Sequence, residues 1–212
     1  MSRRAADVAI AAGRVRINGA VVATGVAAAS TDKVELDNRP LNLPTYRTIM
    51  LHKPVGYVTS RRQQGATPTL YALLPEELQP LKPVGRLDKD SSGLLLLTND
   101  GSLAQHLQHP SHGKWKHYQV ELDRPLAATD RQQLERGITL EDGVSRVHIT
   151  GTRHRLEVLL QEGRNRQIRR SFAAAGYRVR RLHRIDFGAL NIGTLAPGAW
   201  RELTATELEV LA

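Results

Sequence analysis

The sequence predicts an α+β protein in two parts: a small module over residues 1–43 and a larger domain over 44–212. Three observations point there. Strand-like and helix-like segments follow one another without the regular strand–helix–strand alternation of a doubly wound sheet. The stretch from Arg39 to Arg47, which carries Pro40 and Pro44, reads as a linker. The 212 residues are 41% hydrophobic and 24% charged, which suits a packed core and argues against wholesale disorder.

Taken in order, Ser2 is placed to cap a short helix running to about Ala12, with Gly13 as its stop. Arg14-Val15-Arg16-Ile17 alternates like a strand, and Asn18-Gly19 is a two-residue hairpin turn leading into Val21-Val22. A third strand, Lys33 to Leu36, ends at Asp37-Asn38. In the larger domain, Thr48–Leu51 and Gly56–Thr59 read as strands around Lys53-Pro54, and Thr67-Pro68 as a helix start. Gly93 to Thr98 is apolar and short, the signature of a strand buried on both faces. Helices follow at Ser102–His109, stopped by Pro110, and at Thr129–Arg136, closed by Gly137. Strands are predicted at Lys116–Leu122 and His154–Leu160. A last helix, capped by Asn165, runs to Ala175 with Gly176 after it.

Composition narrows the function. The absence of cysteine excludes disulfide scaffolds, thiol nucleophiles, iron–sulfur clusters and cysteine-rich zinc sites. Lys and Arg number 30 against 21 Asp and Glu, a net charge of +9, which points to a polyanionic partner and first to nucleic acid. Asp7, Arg14 and Arg16 interrupt any secretory signal, and no run approaches the roughly 18 apolar residues of a membrane span. A soluble, cytoplasmic protein is the expectation. His106, His109 and His112 are spaced by three, but Pro110 and Gly113 break the helix that would align them. No metal site is expected.

The N-terminal module resembles the RNA-binding S4 domain through Ser2-Arg3-Arg4, Gly13-Arg14-Val15-Arg16-Ile17-Asn18-Gly19 and Val34-Glu35-Leu36-Asp37. Arg3, Arg4, Arg14 and Arg16 are its candidate RNA contacts, since guanidinium forks match phosphate oxygens. The S4 pattern carries one more helix ahead of the Ser-Arg-Arg element, so this copy reads as shortened at its N-terminus.

The most informative segment is Gly85-Arg86-Leu87-Asp88-Lys89-Asp90-Ser91-Ser92-Gly93, running into Leu94-Leu95-Leu96-Leu97-Thr98-Asn99-Asp100-Gly101. A charged, glycine-bounded loop feeding a buried strand can hold a side chain rigidly at the rim of a cleft. The ordinary reading of Asp88 and Asp90 alone is a surface turn. The run closely resembles the signature of the RsuA-type pseudouridine synthases, which include RluB-like enzymes acting on ribosomal RNA, and the similarity extends from about Ser2 to Leu211. That resemblance implies a domain built on a mixed, mostly antiparallel sheet with flanking helices. It implies conversion of a ribosomal RNA uridine to pseudouridine, 23S-like rather than 16S-like, on a flipped-out base, without a cofactor. The family's nucleophilic aspartate carries over to Asp88; Asp90 falls on a variable position.

Further residues follow from the same resemblance. Glu162-Gly163-Arg164-Asn165-Arg166-Gln167-Ile168-Arg169-Arg170 looks like the family's third motif, with Arg169 the ion partner of the nucleophile and Arg164, Arg166 and Arg170 on RNA phosphates. Ile168, Phe172 and Ala175 form its apolar stripe. Lys116-His117-Tyr118-Gln119-Val120 resembles the strand whose tyrosine stacks on the target base. Lys53-Pro54-Val55-Gly56 resembles the first motif and reads as structural, with Lys53 also a candidate phosphate contact; Arg86 is another. Gly198-Ala199-Trp200-Arg201-Glu202-Leu203 matches the C-terminal segment, with Trp200 packed. The expected partner is ribosomal RNA or a precursor particle, and the expected state a monomer. Two alternatives use the same residues. A non-catalytic RNA-binding or ribosome-assembly factor has no use for Asp88, Tyr118 and Arg169 together. A glycosidase is disfavoured by the arginine-rich surroundings and an aromatic content of 4%.

Overall fold

The computed structural model describes the chain except residues 1–2, 30, 43–44, 64, 110–112, 153–154 and 212. The Ser2 cap, Pro44, Pro110, His112 and His154 therefore lie outside the described residues, as does the Arg3 side chain. The chain divides into two compact units, Met1–Thr45 and Tyr46–Ala212.

In the first unit, helix α1 (Arg3–Ala11) buries Ala9 and ends at Gly13, whose φ of +68° reverses the chain. Strands β1 (Val15–Ile17) and β2 (Ala20–Val21) form a hairpin with Asn18 and Gly19 both at positive φ, the turn that Asn-Gly favours. Strand β3 (Val34–Leu36) pairs with the other edge of β1. Asp37 and Asn38, also at positive φ, turn the chain back into β4 (Arg39–Pro40), so the predicted linker begins as a strand.

The second unit is one large mixed sheet. Its strands are β5 (Thr48–Lys53), β6 (Lys82–Pro83), β7 (Ser92–Thr98), β8 (Lys116–Leu122), β11 (His148–Thr152), β12 (Arg155–Leu160), β13 (Val179–Phe187), β14 (Leu190–Asn191) and β15 (Trp200–Glu202), with β9 (Ile138–Leu140) and β10 (Gly143–Ser145) forming a separate hairpin. The order is β11-β12-β8-β13-β7-β5-β15, with β14 on β13 and β6 on β7. Among the described residues only β13 and β7 pair as parallel strands, so the sheet is mixed and mostly antiparallel, as expected.

Strand β7 explains the leucine run. Leu95 and Leu97 enter one apolar cluster, and Leu94 and Leu96 the other, across the sheet. Helices α3 (Ala128–Arg136) and α4 (Gln167–Ala174) supply Leu134, Ile168 and Phe172 to the first cluster. Helices α2 (Gly101–Gln108) and α5 (Ala205–Glu209) cover the second with Leu107 and Leu208. Asp100 caps α2 by accepting the backbone N–H groups of Ser102 and Leu103.

Several expectations are corrected. Gly56–Thr59 is not a strand: Val58 makes a single bridge to Thr69. The helix predicted from Thr67-Pro68 is instead a pair of one-turn 3₁₀ segments, Leu70–Leu73 and Glu76–Leu78, because Pro75 and Pro80 interrupt any longer helix. Asn165 does not cap α4. Arg166 stands at that position in the left-handed region, at φ +46°.

Candidate active site

Four strands bring one row of residues together across the sheet. Lys53 on β5 pairs with Gly93 on β7, Gly93 with Arg184 on β13, and Arg184 with Tyr118 on β8. The 85–91 loop enters β7 one residue before this row, so it projects Asp88 from mid-sheet. Gly93 is required there. Its φ is +114°, and a Cβ would stand 2.1 Å from the Arg184 carbonyl oxygen.

The loop is held at nearly every residue. Leu87 is buried, and its carbonyl accepts from the Thr59 hydroxyl at 2.7 Å. Lys53, fully buried, donates from Nζ to the carbonyls of Pro54 (2.9 Å), Asp88 (3.0 Å) and Ser91 (2.8 Å). An ammonium has three N–H groups, and here three carbonyls receive them. Burial pushes its pKa down to about 8, opposed by the nearby Asp88 and Asp90. The Gly56 N–H binds the Lys89 carbonyl at 2.7 Å, and Lys89 Nζ reaches Thr67 Oγ1 at 3.0 Å. Lys53 is thus an anchor of the Asp88 loop. Its expected phosphate contact is corrected: no donor is left and none faces solvent.

The Asp88 carboxylate is 30% exposed and lies 3.5 Å from Arg166 Nη1. Here the ion partner differs from the expected one. Arg169 makes its ion pair with Asp90, at 3.3 Å from Nε, and spends its other nitrogens on the carbonyls of Val179 (2.9 Å) and Asp90 (2.8 Å). Arg166 grips Asp90 with both terminal nitrogens at 2.9 Å and reaches Asp88 from the same fork. Arg166 stands before the helix with a left-handed backbone, at φ +46°, and its side chain lies over the loop. The Arg166 hydrogen bonds hold Asp90 below the usual carboxylate range. Asp90, unassigned from sequence, is the tie between loop and α4.

The remaining arginines of this region divide. Arg164 is committed within the fold, donating to the carbonyls of Asp142, Gly143 and Val144 at 3.0–3.2 Å, so its expected phosphate role is corrected. Arg170 forms a forked pair with Asp142 at 3.0 and 2.7 Å and remains 30% exposed. Arg86 is exposed. In the first unit Arg4 is exposed, Arg14 is forked onto Asp37, and Arg16 donates to the Gly19 carbonyl at 2.9 Å.

Tyr118 sits in the first apolar cluster with Leu87, its ring 8% exposed. Its hydroxyl is 3.5 Å from Nη1 of Arg184, a residue that no sequence motif singled out. Arg184 is 2% exposed, donates from Nε to the Leu94 carbonyl at 2.7 Å, and lies between the rings of Tyr118 and Phe187. Lys116, on the same face of β8, is pushed to about 8 by burial and by this guanidinium. On the opposite face, Ser92 Oγ bonds His183 Nδ1 at 2.8 Å, and the His52 ring lies tilted by 53° against His183 with centroids 5.1 Å apart.

The loop thus holds the Asp88 carboxylate at mid-sheet with the Arg166 guanidinium 3.5 Å away, a carboxylate–guanidinium arrangement of the kind found at catalytic sites. Comparison with known proteins agrees. Residues 47–174 match the family described as RNA pseudouridylate synthase. An uncharacterized RNA pseudouridine synthase of Aquifex aeolicus is 38% identical over 99% of this chain and 88% of its own length. The ribosomal large subunit pseudouridine synthase B of Bacillus subtilis is 34% identical, covering 99% of this chain and 90% of that one. The synthase B of Xanthomonas axonopodis is 37% identical over 90% of this chain, which spans only 38% of that longer protein. A crystal structure of a pseudouridylate synthase superposes with a TM-score of 0.74 at 31% identity, covering 100% of this chain and 94% of that one. The chain belongs to the RNA pseudouridine synthase family, whose enzymes are isomerases.

Proposed function

We propose that this protein isomerises a uridine of ribosomal RNA to pseudouridine, in the large subunit rather than the small, with Asp88 as the nucleophile. The observation that carries the reading is the clamped loop. Thr59, Lys53 and Gly56 fix the backbone around Asp88, while Arg166 stands 3.5 Å from its carboxylate. The names of the Bacillus and Xanthomonas relatives support the ribosomal substrate.

The reaction breaks the N1–C1′ bond of the uridine, turns the base and joins C5 to C1′; the C5 proton leaves and N1 gains one. Nothing is oxidised and no outside group is added. The carboxylate serves by attacking the sugar or by stabilising its electron-poor carbon. The target base leaves its stack to reach the loop, and Tyr118 is the aromatic against which it packs. Arg86, Arg166 and Arg170 meet RNA phosphates, Arg166 from the exposed side of its guanidinium while it stays paired with Asp90, and Arg170 by exchanging Asp142 for a phosphate. The first unit serves as an S4-like RNA-binding module through Arg3, Arg4, Arg14 and Arg16, and the enzyme works in the cytoplasm as a monomer.

Asp88→Asn tests the assignment. It preserves shape and removes the nucleophile, so pseudouridine mapping of ribosomal RNA should show no product while RNA affinity changes little. Product formed by that variant at the wild-type rate refutes the role of Asp88.

A further inference from the structure

Beside the Asp88 loop, a groove of about 770 Å³ runs between α4 and the start of β13. Asp90, Arg166, Arg169, Tyr177, Arg178 and Arg180 line it. The first three are already tied to one another, so Asp90 neutralises much of the charge at the inner end. Arg178 and Arg180 are different. Both are exposed, on either side of the buried Val179, and among the described residues neither makes an ion pair. Asp123, which also lines the groove, accepts the Arg178 N–H at 2.9 Å and lies 3.9 Å from Arg124. That hydrogen bond first, then the charges of Arg124 and Arg180, keep its carboxyl below the usual range without a direct ion pair to Arg180. Arg178, just before β13, and Arg180 within it both line the groove.

Resting on the function proposed above, we infer that this groove carries the RNA strand flanking the target uridine, with Arg178 and Arg180 each meeting one phosphate. Continuity with the loop favours RNA over an acidic protein. The strand leaving an everted nucleotide at Asp88 must run over a neighbouring surface, and this one presents uncommitted guanidinium groups.

The test is steady-state kinetics and equilibrium binding of a ribosomal RNA fragment containing the target, using the full chain. For Arg178→Ala/Arg180→Ala, KM and Kd should rise about tenfold with kcat within about twofold, and the slope of log Kd against log salt should shrink by about 1.4, the value for two contacts to a single strand. Arg178→Lys/Arg180→Lys should keep most of the slope. Lys82→Ala removes one charge at the far end of β7, opposite Thr98, and should change neither quantity. An unchanged Kd and slope in the alanine pair, or a loss confined to kcat, overturns the inference. Equal competition by polyglutamate of matched charge also overturns it, in favour of an acidic protein partner. If the wild-type chain modifies no uridine while the alanine pair still loses affinity and slope, the groove stands and the isomerase reading falls.

Discussion

Replacing Lys53 with methionine keeps the length of the side chain and deletes its charge and its three donors. The carbonyls of Pro54, Asp88 and Ser91 then lose their partners. Hydrogen bonds to a charged group are worth about 2 kcal/mol each, or about 6 kcal/mol together. Against this stands the cost of burying the ammonium. A pKa driven from 10.5 to about 8 corresponds to roughly 3 kcal/mol that the thioether does not incur. The net loss is about 3 kcal/mol, or a melting temperature lowered by roughly 6–12 °C for a unit of this size. The same change frees the backbone of the Asp88 loop, and if Asp88 is the nucleophile proposed above, a misplacement near 1 Å costs about a hundredfold in rate. Calorimetry and single-turnover pseudouridine formation, both measured well below the melting point, check the two effects. Wild-type melting with wild-type turnover refutes the anchor. Lower melting with intact turnover shows that Lys53 stabilises the fold without positioning Asp88. Titration approaches the same defect: above about pH 8 the neutral amine has two N–H groups for three carbonyls, so turnover should decline there.

Two further outcomes follow from the sheet. Gly93→Ala places a methyl 2.1 Å from the Arg184 carbonyl oxygen on the parallel neighbour, at a φ of +114°. It should cost about 3 kcal/mol or more by denaturant titration; a loss below about 1 kcal/mol would show that the two strands part easily. His183 is held near pKa 4 by burial, then by His52 and Arg181, against an ordinary 6.5. Its folded pKa is the lower one, so the stability it contributes is whole above about pH 6.5 and drains as pH falls towards about 4, by at most about 3 kcal/mol. His183→Gln should flatten that slope in urea titrations across this range, and an unaltered slope would remove His183 as its source.

What the sequence disclosed and what it hid have physical causes. The leucine run announced β7 because a strand covered on both faces has no polar alternation to lose, and Asn18-Gly19 announced its turn by conformational preference alone. Strand β13, at the centre of the sheet, was missed. It reads Val-Arg-Arg-Leu-His-Arg-Ile-Asp-Phe, and irregularities between Val179 and Arg181 and between Arg184 and Asp186 break its period. It also buries His183 and Arg184, which composition rules place outside. Asp88 was legible through a motif that keeps its residues contiguous. Its surroundings were not, because they depend on contacts distant in sequence: Lys53 with the 88–91 carbonyls, and Arg166 with Asp90. The family resemblance points to Arg169 as the ion partner, and the left-handed backbone that brings Arg166 over the loop has no mark in the sequence.

The parallel ladder between β13 and β7 covers only His183 and Arg184, which leaves the leading segment of β13 overhanging beside the loop with one flank bare of β7. Such a flank is a template on which a second polypeptide could extend the sheet. The fold blunts it twice: the Arg169 guanidinium occupies the Val179 carbonyl, and Arg180 and Arg181 set like charges along the exposed rim. Like charges at this rim repel a second copy of the same edge, so substitutions that neutralise it should lower solubility, which sedimentation of the variant checks.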